Sequence, residues 1–113
     1  MTLKTREQNK VLILEVRGKM MGGPDSQLFQ DTIKDQIAKG HKRFIFDLAG
    51  VDWMNSSGLG ILIGALTSIK NAGGDLKLAA VTEKIQSLFL ITKLVTIFES
   101  YENTDEALKS FGA

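Results

Sequence analysis

Short apolar runs alternate along this chain with longer stretches whose apolar residues recur every three or four positions. Leu3 to Gln8 alternates weakly, as an edge strand would. Asn9-Lys10 has turn character, and Val11 to Val16 is a second strand, so the chain opens with a hairpin. Gly18 to Pro24 reads as a loop, and Met20 and Met21 fall inside it. The Pro24-Asp25-Ser26 cluster starts a helix that Gly40 stops; Phe29, Ile33 and Ile37 form its buried stripe, with Leu28 beside them. Arg43 to Leu48 is too apolar to have a solvated face and predicts a central strand.

The stretch from Asp52 to Gly64 predicts a turn that opens a second helix, with Leu59, Leu62, Ile63, Leu66 and Ile69 on one face. Gly60 and Gly64, one turn apart, would let another backbone come close. Asn71 to Gly74 ends this helix. Asp75 to Val81 is a further strand, and Thr82 caps a helix burying Ile85, Leu88, Phe89 and Ile91. Val95 to Phe98 is a short strand or extended segment. Asn103 and Glu106 have capping-box spacing ahead of a last helix that buries Leu108 and Phe111.

A hairpin followed by alternating helix and strand predicts an α/β domain with parallel neighbours in its sheet. The 113 residues suffice for one domain, residues 1–113, with one core, and no repeat or linker divides them. A net charge of +1 gives no electrostatic case for nucleic acid or an anionic membrane. The absence of cysteine excludes disulfides and thiolate metal sites. The N-terminus lacks the apolar segment of a signal peptide, and the longest apolar stretch is far short of the ~20 residues that cross a bilayer. A cytoplasmic protein without direct membrane insertion is the expectation.

Catalysis finds little to work with. The only histidine, His41, lies in a polar turn and reads as an exposed residue, and no Gly-x-Ser-x-Gly elbow surrounds Ser56 or Ser57. Ile63 occupies the third glycine's place in Gly58-x-Gly60, and no phosphate-loop string exists, so no cofactor is implied. One histidine and no tight carboxylate cluster give no metal site. The chain reads as a non-enzyme. Asp47 ends a strand and would satisfy backbone donors at the turn. Trp53 reads as core or rim packing beside the strand end, with a partner contact as the alternative. Lys34, Lys39, Lys42, Lys70 and Lys77 read as ordinary solvated surface.

What remains is a pair of hydroxyls, Ser56 and Ser57, at a helix start just after a strand. A helix N-terminus favours negative charge, so it is a good place for a phosphate. On the local pattern alone, a serine there reads first as a plain cap.

The string Asn55-Ser56-Ser57-Gly58-Leu59-Gly60, following Phe44-Ile45-Phe46-Asp47-Leu48, resembles the signature of the STAS family, the bacterial anti-sigma-factor antagonists. The resemblance implies the STAS fold, a small mixed sheet opening with a hairpin and with helices packed mainly on one face. It implies a transcription regulator that binds a kinase-type anti-sigma factor and is released when that serine kinase phosphorylates it. Ser56 matches the acceptor, with Ser57 as its neighbour or substitute. Met20, Met21, Gly22, Asn55, Ser56, Ser57, Gly58, Leu59 and Gly60 are the implied partner surface. Two exposed methionines between glycines would make an adaptable docking surface, or they would plug the end of the core. The sequence departs from the family's string at two places: Asn55 stands for an aspartate, and Gly18-Lys19-Met20-Met21 replaces a loop with acidic residues. The alternative is a constitutive STAS scaffold or accessory subunit of a transport or signalling complex. Weak nucleotide binding, proposed for some STAS domains, is the third expectation.

Overall fold

Five strands make one sheet in chain order, and only the first pair is antiparallel. A computed structural model describes residues 1–93 and 97–112. β1 (Thr2–Gln8) and β2 (Val11–Met20) form the expected hairpin, with Asn9 and Lys10 both at positive φ, the geometry of a tight two-residue hairpin turn. Helix α1 (Pro24–Ala38) crosses to β3 (Arg43–Met54), α2 (Ser56–Asn71) to β4 (Asp75–Ala79), and α3 (Glu83–Thr92) precedes β5 (Glu99–Tyr101); α4 (Thr104–Ser110) closes the chain.

Strand alternation sorts the core into two layers. Leu12, Leu14, Phe44, Phe46, Leu76 and Leu78 meet Phe29 and Ile33 of α1, Leu59, Leu62 and Ile69 of α2, and Ile85 and Phe89 of α3. The intervening Val11, Ile13, Ile45 and Ala79 meet Ala107 and Leu108 of α4, with the half-buried Tyr101 and Phe111 packed against them. Phe44, Ile45 and Phe46 are therefore buried on both faces, as a central strand requires. Three helices cover one face and one short helix the other, as expected.

Several sequence expectations need correction. β2 does not stop before Gly18 but runs to Met20, which is fully buried. β3 runs six residues past Leu48, so Asp52-Trp53-Met54 is strand and not turn. The register explains it. Glu15 pairs with Asp47 and Arg17 with Gly50; Gly18 pairs with Val51 and Lys19 with Trp53. β3 thus carries one extra residue at each of two bulges, and each bulge resets which side chains face the helices. Leu48, Val51 and Met54 all reach the same core at three-residue intervals. Asp47 bonds within this irregular stretch, its carboxylate accepting from the Ala49 N–H at 3.0 Å.

Beyond β4 the apolar positions also shift. Ile91 is exposed, and the α3 core is Ile85 and Phe89. Of the Val95–Phe98 expectation, Val95 and Thr96 lie outside the described residues, and Ile97 and Phe98 precede the strand, which is Glu99–Tyr101. Leu28 is exposed on α1, and Gln36 takes a buried place beside the partly buried Ile37.

Lys77 is the clearest departure. Far from solvated, it is buried on β4 beneath α4, with its ammonium donating to Ser110 Oγ at 2.7 Å, 3.5 Å from a Glu99 carboxylate oxygen and 4.1 Å from the centre of the Phe111 ring. Its stem fills space while its head ties α4 to the sheet. Lys77→Ala is expected to cost about 2 kcal/mol, and Lys77→Met less than half of that, because methionine restores the stem's packing. Urea denaturation of the two variants separates packing from charge.

Candidate functional site

The site sits where β3 ends and α2 begins, with a single residue, Asn55, between them. Asn55 is the cap. Its backbone is extended (φ −106°), and its side-chain oxygen accepts from the Gly58 N–H at 2.8 Å. Its own N–H donates to the Met20 carbonyl (3.4 Å) and its side-chain amide to the Met21 carbonyl (3.5 Å), which ties the end of β2 to the start of α2. Asn55→Ala is expected to lower stability by about 1 kcal/mol and Asn55→Asp to keep the cap, as thermal unfolding of both will report.

Because Asn55 takes the capping role, Ser56 and Ser57 are released from it. Both are exposed at the first two helical positions, and no side-chain hydrogen bond of either is found among the described residues. The first turn of α2 carries no acidic residue, so its unpaired N–H groups and the positive end of its dipole are uncompensated.

The remaining expected residues divide into a surface and its support. Met21 is exposed, and Gly22, at φ +83°, lies against Ser57: a side chain on Gly22 would come within 2.8 Å of the Ser57 Cβ. Met20 is core, which settles the two methionines differently. Gly58 and Leu59 are buried as well. Gly58 is glycine because the Met20 carbonyl occupies the space where a Cβ would stand. Gly60 and Gly64, by contrast, have nothing within 4 Å of an added Cβ, so the close backbone approach expected of them occurs at Gly58. The Met20–Gly22 segment does lie beside the two serines.

His41 precedes β3 and the serines follow it, so the only histidine is at the far end of a 12-residue strand from any nucleophile. It is mostly buried instead of exposed, 3.9 Å from the Glu7 carboxylate. Among the described residues no cluster of three potential metal ligands occurs, and no helix is long and apolar enough to cross a membrane.

Sequence reasoning did not find the groove next to the site. Trp53 and Met54 at the end of β3 and Lys84, Ile85, Leu88 and Ile91 of α3 line a groove of about 350 Å³. Trp53 read first as core or rim packing in the sequence; the exposed Ile91, two residues from buried Phe89, could be sorted only once the helix was in place.

A STAS domain model matches residues 2–107. A candidate anti-sigma factor antagonist of Thermotoga maritima is 25% identical over 99 residues, covering 87% of this chain and 88% of that protein; its crystal structure superposes with a TM-score of 0.86 over 96% of this chain and 92% of that one. The anti-sigma-B factor antagonist of Bacillus subtilis is 40% identical over 52 residues, 46% of this chain and 48% of that protein. The Bacillus anti-sigma factor antagonist SpoIIAA shares the fold in its unphosphorylated form (TM-score 0.72, 14% identity, 96% of each chain) and in its phosphorylated form (0.74, 15%, 97% of this chain and 99% of that one). With a five-stranded mixed sheet, helices mainly on one face and a family match along nearly its whole length, this chain belongs to the STAS domain family.

Proposed function

We propose that this STAS domain is an anti-sigma-factor antagonist that captures a kinase-type anti-sigma factor in the cytoplasm and is switched off by phosphorylation of Ser56. It acts by binding and performs no catalysis of its own. The carrying observation is that Ser56 is an exposed hydroxyl at the first position of α2, left free by the Asn55 cap. A phosphate there adds about −1.5 to −2 charge next to unpaired helix N–H groups, so the domain tolerates it. A partner packed dry against Ser56, Ser57, Met21, Gly22 and Gly60 does not, because burying that charge without a countercharge costs several kcal/mol. Met20, Gly58 and Leu59 serve this surface from beneath. That SpoIIAA has one fold with and without its phosphate supports a switch that leaves the domain intact.

Site-resolved mass spectrometry of the protein from its native cells, with and without stress, tests this. Phosphate on Ser56 whose occupancy changes with conditions is the expected result, with the kinase co-purifying with the unmodified form. Serines that stay unmodified throughout would replace the switch by a constitutive scaffold.

A further inference from the structure

The groove between the end of β3 and α3 lies outside the signature string, and its chemistry is distinct from that of the serine site. Trp53 is 47% exposed and Ile91 79%, an uneconomical arrangement for two large apolar side chains. The lining is otherwise Met54, Ile85 and Leu88 with Ser87, and Lys84 is its single charge. Lys19 stands across from Trp53 in the β2–β3 register. Neither lysine forms an ion pair with a carboxylate among the described residues. The surface is therefore an apolar trough with one lysine in its lining and a second, on β2, paired with Trp53 at its edge.

We propose that this groove docks an apolar segment of a protein partner whose anchoring side chains are flanked by carboxylates. The two cations select for that charge, and Trp53, Leu88 and Ile91 supply the anchor contacts. A second copy of this chain fits badly: a two-fold contact centred on the groove sets Lys84 towards its own counterpart, and Lys19 likewise. Because the groove begins three residues before Ser56, the segment belongs naturally to the partner proposed above. That assignment rests on the functional reading, whereas the groove's selectivity does not.

A random peptide library displayed on phage, panned against the whole protein, provides the probe. The expected result is enrichment of peptides with two apolar residues three or four positions apart flanked by Asp or Glu. A synthetic peptide of that sequence should bind about tenfold more weakly to Lys84→Glu and to Ile91→Ser, and more weakly as salt is raised. Both positions are exposed enough for the variants to fold, and Leu28→Ser, at an exposed apolar position on α1, should bind as the parent does. Enriched peptides without acidic bias, or binding indifferent to both groove variants, overturn the proposal. So does concentration-dependent self-association that Ile91→Ser abolishes, since the occupant would then be a second copy. The peptide assay needs no phosphorylation, so its failure is distinguishable from unmodified Ser56 in cells.

Discussion

Alanine at Gly58 is expected to destabilise this domain by about 3 kcal/mol, and alanine at Gly60, two residues along the same helix, to stabilise it by about 1 kcal/mol. A Cβ on Gly58 runs into the Met20 carbonyl, which is strand backbone and cannot rotate aside as a side chain could. Moving Met20 away breaks its bond from the Asn55 N–H and disturbs the β2–β3 pairing at its last rung, Met20 with Met54. The better helix propensity of alanine offsets only about 1 kcal/mol of that. Gly60 meets nothing, so alanine there gives the propensity gain without a clash. In a domain of this size 1 kcal/mol moves Tm by roughly 4 °C, so calorimetry should place the two variants some 15 °C apart. Equal melting temperatures would mean that β2 and α2 do not touch as described. The pair also probes the site, because the Gly58 contact holds the Met20–Gly22 segment beside the serines.

This contact marks the limit of what the sequence disclosed. Element order, the Asn9-Lys10 turn, the central strand and the caps at Asn55, Thr82 and Asn103 all follow from local chemistry, and the side-chain oxygens of the three caps do accept from Gly58, Ile85 and Glu106. What failed was non-local. Two bulges put Leu48, Val51 and Met54 at three-residue spacing inside a strand, where a period-two rule sees a turn. Met20 looked like a loop residue because Gly18 precedes it; pairing with Met54, 34 residues away, makes it strand. Lys77 looked solvated because its burial depends on α4, more than two dozen residues later. In the motif, the residue types gave the cap and the exposed hydroxyls, but which glycine touches backbone was decided by β2.

The second large effect is functional. Ser56→Asp is expected to leave Tm unchanged or slightly raised and to weaken binding of the co-purifying partner at least 100-fold. A carboxylate in the first turn of a helix whose N-terminus lacks any acidic residue contributes about 0.3–1 kcal/mol of stability. The same charge in a desolvated contact costs several kcal/mol, and about 2.7 kcal/mol already amounts to 100-fold. Ser56→Ala isolates the charge. Asn55 still caps the helix, so this variant should fold and bind like the parent while being unable to accept phosphate. Isothermal calorimetry on the three proteins decides between the readings. A scaffold with a permanent partner tolerates aspartate with a modest loss, whereas a switch loses the complex and keeps the fold. The separation of the two outcomes comes from one feature, the division of labour between Asn55 and Ser56. Because the neighbouring amide takes over the helix cap, the hydroxyl can change its charge without the domain losing an interaction it needs to stay folded.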